Sequence, residues 1–219
     1  FTINEGDTAN IARINIVGNK TYSEKTLRAE ISLSTPNWLS WYTKDDQYSK
    51  QKLQADLEAL RSFYQNRGYL EFQIESTQVS ISPDKDEVYV TINLNEGNKF
   101  SVSGVQIAGE LVVSEPELRR LLAVKPGDTF SRSAMQVSVK NMSERLGIDG
   151  YAFANVNAVP EIDRAKNTVG FTFYVDAGRR VYVRKINSGG NPKTRDEVIR
   201  REFRQVEGAW YDGTRIERS

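Results

Sequence analysis

The chain has 219 residues, 30 lysines and arginines against 29 aspartates and glutamates, and neither cysteine nor histidine. The net charge of +1 creates no strong field that would attract nucleic acid or anionic lipid. The missing residue types exclude thiol chemistry, disulfides and the commonest general base at neutral pH, and the apolar runs are far shorter than the roughly 20 residues of a membrane helix.

The first predicted strand lies around Ile14 and Ile16, whose alternation with polar residues is typical of a half-buried strand. A helix follows, with Ser23 as its N-cap and Leu27 and Ile31 on its apolar face. A second helix has apolar residues at i, i+4, i+7 and i+11, the spacing of one buried face: Leu53, Leu57, Leu60 and Tyr64.

Two strands are predicted next, the first of them within "YLEFQIESTQVSIS" (69–82). Its apolar residues lie at even positions up to Ile74 and at odd positions from Val79. A β-bulge between Glu75 and Gln78 would shift the phase in this way, and so would a strand that ends and restarts. A turn at 83–86 leads to a strand with Val88, Val90, Ile92 and Leu94 on one face.

The same order of patterns then returns. It comprises a strand at Val105 and Ile107, a capping box of Ser114 with Glu117, and a helix face of Met135, Val139, Met142 and Leu146. Two strands follow, one of which contains Pro160, with a turn at 164–167. A third copy begins with Val181, Val183 and Ile186 and a capping box of Thr194 with Glu197. Ser188 stands where the other copies have an apolar residue.

The three copies are in phase, since the motif glycines Gly6, Gly97 and Gly178 are 91 and 81 residues apart. This spacing indicates small tandem domains rather than a solenoid. Each copy predicts an α+β unit of order β-α-α-β-β, in which two helices cover one face of a three-stranded mixed sheet. The second strand of this order is expected at a sheet edge.

The chain resembles POTRA domains, the repeated modules that precede the membrane barrel in outer-membrane assembly proteins. The matching segments are "KQKLQADLEALRSFYQNRGY" (50–69), "STQVS" (76–80), "PDK" (83–85) and "VYVRKI…RREFRQVEGAW" (181–210). The resemblance is to third, fourth and fifth POTRA domains. We therefore expect the tail of a preceding domain at 1–6, domains at 7–98 (with an insertion at 35–48) and 99–178, and an incomplete domain at 179–219.

The resemblance implies a periplasmic scaffold of a Gram-negative bacterium, without catalytic residues, cofactors or nucleic acid. Its partners would be lipoprotein subunits of the barrel assembly complex and unfolded outer-membrane proteins. A parent protein with a membrane barrel is also implied. The first partner-binding site would be an edge strand that accepts an added β-strand: Ile74, Glu75, Ser76, Thr77, Gln78, Val79, Ser80 and Ile81.

The physics of sheet edges favours the same segment, because an exposed edge has unpaired N–H and C=O groups. This edge contains no proline, whereas Pro160 is expected to block the corresponding edge of the second unit. The family further implies a contact with a lipoprotein subunit at Glu207, Arg204 and Arg201. Hinges are predicted at Gly97, Asn98 and Lys99 and at Gly178 and Arg179.

The segment 181–187 is predicted to be a strand without sheet partners in the chain, which pairs with another molecule or is poorly ordered. The aromatic insertion (Trp38, Trp41, Tyr42 and Tyr48) would pack on its own domain or anchor a partner.

Other classes of protein remain as alternatives. They are a POTRA array from a two-partner secretion or organelle import transporter, an RNA-binding module, and an enzyme. The RNA-binding alternative lacks a GxxG loop between the helices, and no spaced set of carboxylates indicates an enzyme.

Overall fold

The computed structural model describes residues 10–33, 49–84, 86–187, 189–190 and 195–219. The chain divides into two compact units, one of residues 1–100 with 129–132 and one of residues 101–128 with 133–219. The predicted α+β class and the three-stranded mixed sheets are confirmed. The predicted domain boundaries remain predictions.

The first unit is built around a mixed three-stranded sheet. Its elements are β1 (Asn10–Val17), α1 (Glu24–Arg28), α2 (Lys50–Gln65), β2 (Gln73–Ile81) and β3 (Glu87–Asn95). The strand order is β1-β3-β2, with β1 parallel and β2 antiparallel to the central β3. The prediction that the second strand of the unit lies at an edge is therefore confirmed.

The core of the first unit lies between the sheet and its helices. The predicted helix face is buried at Leu53, Leu60 and Tyr64, and it packs with the inward side chains of β1 and β3. The Tyr64 ring also stacks on Phe72, with ring centroids 4.3 Å apart. The spacing of apolar residues in the sequence thus predicted which face of α2 is buried.

A carboxylate is buried at the end of this core. Glu96 is 7% exposed and accepts hydrogen bonds from the Tyr64 hydroxyl (2.8 Å), the Thr21 hydroxyl (2.7 Å) and the backbone N–H groups of Lys20 and Thr21 (2.9 and 3.0 Å). Burial and the bond to Glu96 raise the pKa of Tyr64. In the second unit Leu146 and Ala177 occupy the positions equivalent to Tyr64 and Glu96, so the polar pair is replaced by an apolar one.

The second unit repeats the architecture. Its elements are β4 (Ser101–Gly109), α3 (Glu115–Arg120), α4 (Arg132–Ile148), β5 (Asn155–Asp163) and β6 (Thr168–Asp176), followed by β7 (Tyr182–Val183), α5 (Asp196–Glu202), β8 (Ala209–Trp210) and α6 (Gly213–Glu217). The strand order is β4-β6-β5, so β5, with Pro160, is an edge strand like β2.

The segment 181–187 does have a strand partner within the chain, which corrects the prediction. Tyr182 and Val183 pair antiparallel with Trp210 and Ala209. This pairing corresponds to the contact between β4 and the loop at 127–128, because Gly208 N donates to Val183 O just as Gly127 N donates to Val102 O. The partner therefore covers the outer edge of β7. Strand exchange between chains through Val181–Asn187 stays a prediction.

One predicted capping box, that of Ser114 with Glu117, does not form. Ser23 caps α1 as predicted, with its hydroxyl accepting from Thr26 N at 3.2 Å. Ser114 is the N-cap residue of α3, but its side chain makes no capping bond, and the Glu117 carboxylate instead pairs with Arg145 at 2.6 Å. A long-range ion pair has thus replaced the local capping box.

Several predictions fall outside the described residues. They concern the segment 1–6, the insertion at 35–48 with its aromatic residues, Ser188, and the cap at Thr194. Among the described residues, none of the helices is both long enough and apolar enough to span a bilayer.

Candidate functional site

The edge of β2 presents backbone groups on its open side. Ser82 N donates to Glu87 O at 2.9 Å, so the backbone polar groups of Ser82 point toward β3. The register is regular from Ser76 to Ile81, so this bond also sets the direction of the backbone groups in that stretch. Because antiparallel strands alternate, every second residue points its N–H and C=O away from β3. These outward residues are Thr77, Val79 and Ile81.

A β-bulge keeps the apolar side chains of β2 on one face. The register shifts between Ile74 and Ser76, so the bulge lies at Glu75, at the start of the predicted interval. Ile74 is paired with Leu94, whereas Val79 is paired with Val90, and both partners are buried. The phase slip in the sequence therefore reflects a bulge within one strand, and not two separate strands.

The edge combines backbone groups with apolar side chains that reach solvent. Val79 is 37% and Ile81 is 58% exposed, on the face that the helices cover elsewhere. On the other face, Ser76 accepts a hydrogen bond from Asn93 at 2.8 Å. An extended peptide at this edge would find both main-chain hydrogen-bonding groups and an apolar contact.

The equivalent edge in the second unit carries a proline. Glu110 N donates to Val175 O at 2.9 Å, so the backbone polar groups of Val175 point toward β4. The groups of its direct neighbours in β6 point the other way, toward β5. It follows from the pairing of β5 with β6 that Pro160 points outward. Pro160 lies 81 residues after Val79 and is its equivalent. The proline removes an outward donor without breaking a bond of its own sheet.

The charged loop around Glu207 forms a second candidate surface. The Glu207 carboxylate accepts from Ile186 N and from Arg200, both at 2.8 Å. The bond from Ile186 has the larger effect and that from Arg200 the next, and they hold the pKa of Glu207 below its ordinary value. The other two predicted residues make different contacts. The Arg201 side chain contacts Glu202 at 3.3 Å, and the backbone N–H of Arg204 donates to the Ser219 hydroxyl. The intramolecular partner of Glu207 is thus Arg200.

A buried glutamine supports this loop and was missed at the sequence level. Gln205 is 3% exposed, donates to the carbonyls of Val206 and Trp210, and accepts from Asp212 N at 3.0 Å. In the second repeat the apolar Val124 stands at the equivalent position, so a comparison of the repeats could have revealed Gln205.

The predicted hinges begin with the same turn. Gly97 N donates to Asn95 Oδ1 at 3.2 Å, and Gly178 N donates to Asp176 Oδ1 at 3.1 Å. Both glycines have positive φ, 67° and 62°, which other residues rarely adopt. The segment at Asn98 and Lys99 follows the first turn and Arg179 follows the second. Hinge motion at these residues stays a prediction.

Among the described residues, no cluster of His, Cys, Asp or Glu side chains could hold a metal ion.

Comparison with known families identifies the class of protein. A family model described as POTRA, surface antigen variable number repeat, matches residues 9–97, 100–178 and 181–219. The chain therefore belongs to the POTRA family, as its resemblance implied.

The particular relatives are outer-membrane protein assembly factors. The chain is 37% identical over 220 residues to BamA of Neisseria meningitidis serogroup B and 30% identical over 217 residues to BamA of Buchnera aphidicola. The two matches cover 100% and 98% of this chain but only 28% and 35% of the relatives' own length. The chain therefore spans about a third of these relatives.

A solved structure agrees with this assignment. The crystal structure of Haemophilus influenzae BamA POTRA3-5 is similar with a TM-score of 0.86 and 33% sequence identity, over 99% of this chain and 85% of that one. The predicted resemblance to third, fourth and fifth POTRA domains is confirmed. The chain corresponds to the periplasmic POTRA region of an outer-membrane protein.

Proposed function

We propose that this chain is a non-catalytic scaffold for outer-membrane protein assembly that binds partners by adding a β-strand to the edge of β2. The observation that carries the proposal is the outward direction of Thr77, Val79 and Ile81 beside two exposed apolar side chains. The names of the BamA relatives support the role in assembly.

The partners proposed for the edge are lipoprotein subunits of the assembly complex and unfolded outer-membrane proteins. Unfolded chains destined to become β-strands suit this mode, because main-chain pairing does not depend on a particular side-chain sequence. The loop with Glu207, Arg204 and Arg201 is proposed as a separate contact for a lipoprotein subunit, in which charge complementarity would set the partner.

Two other functions have less support. A role in a two-partner secretion or organelle import transporter would use the same edge, but the relatives at 37% and 30% identity are named assembly factors. An RNA-binding role would require a basic surface, and the net charge is only +1.

Photo-cross-linking in intact periplasm tests the proposal. A photoreactive amino acid would replace Ser80 on the edge strand of the full-length protein, and Tyr89 on the central strand as a matched exposed control. We expect adducts with a partner protein from position 80 and few from position 89. Equal labelling from both positions, or none from position 80, would contradict strand addition at this edge.

A further inference from the structure

The first helix of each repeat carries an arginine that reaches the first strand or, in the third repeat, the segment just after β7. Each guanidinium donates to a backbone carbonyl fourteen residues earlier in the chain: Arg28 to Ile14, Arg119 to Val105 at 3.3 Å, and Arg200 to Ile186 at 3.0 Å. The arginines are 91 and 81 residues apart, the spacing of the motif glycines. The contact is therefore a property of the repeat.

The carbonyl that accepts the bond lies on the outer side of the sheet. In the second unit, Glu110 N points inward to Val175 O. Alternation along β4 then directs Val105 away from the central strand. The arginine thus occupies an acceptor that an added strand would need at this edge.

An acidic side chain holds each arginine in this position. Glu24 pairs with Arg28 at 2.7 Å, Glu115 pairs with Arg119 at 2.7 Å, and Glu207 pairs with Arg200 at 2.8 Å. A guanidinium has five donors in a fixed plane, so it can bond to the carboxylate and the carbonyl at the same time.

Other features also interrupt the first-strand edge. The register shifts between Ile11 and Arg13 in β1 and between Val102 and Gly104 in β4, and such bulges impair pairing with a further strand. Around Val102, the outer edge of β4 is also paired with the loop at 127–128. The β2 edge also has a bulge, between Ile74 and Ser76, but no arginine bond is seen on the outward carbonyls of its regular stretch among the described contacts.

We propose that these arginines close the first-strand edge and thereby, in the first repeat, confine strand addition to the opposite edge, that of β2. The proposal rests on the proposed function and specifies which of the two edges takes the partner strand. Native sheet proteins commonly protect edges with charged side chains.

Disulfide capture of a defined peptide by the 219-residue chain tests this selection. The probe is a nine-residue peptide of alternating threonine and valine with one central cysteine and a lysine at each end. Because the chain has no cysteine, a single one at Asn15 reports on the β1 edge and one at Ser80 reports on the β2 edge. Both positions are exposed, and their partners Thr91 and Tyr89 lie on the same face of β3.

We expect capture at Ser80→Cys and weak capture at Asn15→Cys. Capture at Asn15→Cys should rise by about fivefold when Arg28→Met is added, because the Ile14 carbonyl loses its charged hydrogen bond and becomes available to the peptide. Capture at Ser80→Cys should not change. The control Arg61→Met removes another arginine of the first unit, which pairs with Glu58 at 2.6 Å, and should leave both yields unchanged.

The outcomes separate the two proposals. If Arg28→Met stays folded by circular dichroism and capture at Asn15→Cys does not rise, the arginine does not close the edge, while capture at Ser80→Cys still supports strand addition to β2. A rise at Asn15→Cys without capture at Ser80→Cys would support edge closure and contradict the proposed function. Capture at neither position in any variant would overturn both.

Discussion

The Glu207 carboxylate lies 2.8 Å from the Arg200 guanidinium, and together these side chains bind both backbone polar groups of Ile186. Arg200 donates to the Ile186 carbonyl, and Glu207 accepts from the Ile186 N–H group. A partner that pairs with Glu207 must therefore share this carboxylate with the first strand of the third repeat.

Two substitutions at Glu207 separate its internal role from a partner contact. Glu207→Lys should expose the Ile186 amide to hydrogen exchange, because it removes the acceptor and repels Arg200. Glu207→Gln should keep that protection through its amide oxygen and should weaken only a charge-dependent partner. Exchange measured by NMR, with partner binding measured in the full-length complex, checks both. Equal loss of protection in the two variants would show that charge holds the loop.

Val79→Pro should abolish strand addition at β2 while leaving the fold intact. The proline removes an outward N–H that makes no bond within the sheet, so we expect unfolding free energy to fall by about 1 kcal/mol or less. Gln78→Pro is the matched control, since it removes an inward donor of the ladder and should cost about 3 kcal/mol. Urea unfolding and cross-linking from Ser80 are the measurements. Undiminished cross-linking in Val79→Pro would show that the outward donor is not used.

The reverse substitution should open the second edge. Pro160→Val restores an outward N–H on β5, next to Ile162, which is 37% exposed. We expect new cross-links from a photoreactive residue at Glu161, whose side chain is exposed, in the variant but not in the parent. If no adducts form, a feature of β5 other than the missing donor protects that edge.

The Tyr64–Glu96 pair should show coupling in a double-mutant cycle. Glu96→Ala leaves the Tyr64 hydroxyl and the donors of Thr21 without their acceptor, at a cost of about 3 kcal/mol, whereas Tyr64→Phe should cost about 1 kcal/mol. The double variant should be about 1 kcal/mol more stable than the sum of the two single losses in unfolding free energy predicts. Urea unfolding followed through amide NMR signals of β3 measures this. Strict additivity would mean that the two groups act independently.

Glu96 should also make the first unit sensitive to acid. Burial alone would raise the pKa of Glu96, but the bonds from Thr21, Lys20 and Tyr64 outweigh burial and hold it below the ordinary 4.5. Because the folded pKa is the lower one, the stabilisation is complete above pH 4.5 and is lost as the pH falls through the folded value. Unfolding free energy of Glu96→Gln should thus depend less on pH below 4.5 than that of the parent chain. Parallel pH profiles would contradict the assignment.

The repeat and the α+β order were predictable because both depend on local periodicity, and the edge position of β2 was predictable from the order of the elements. The slip from Ile74 to Val79 indicated either a bulge or a break in the strand, and the choice between them depends on the pairing of β2 with β3, which has the bulge at Glu75. The outward direction of Val79 and Pro160 could not be predicted from sequence, since it follows from which cross-strand pairs share hydrogen bonds.

Contacts between distant residues account for the other differences. The capping box at Ser114 failed because Glu117 has a better partner in Arg145, which lies on another helix. The strand β8 has two residues, too few for an alternating pattern, and it forms only because Ala209 and Trp210 meet the first strand of that repeat. Such pairings become visible in sequence only when the copies are aligned with one another.

The proline at the outer edge of β5 has a consequence for the array as a whole. Domains joined by a few residues hold each other at effective concentrations in the millimolar range. At that concentration, two sheet edges with a dissociation constant well below the millimolar range would pair within the array and exclude other strands. Pro160 removes an outward donor from β5, so under the proposed function the edge of β2 would stay available to a partner from outside the array.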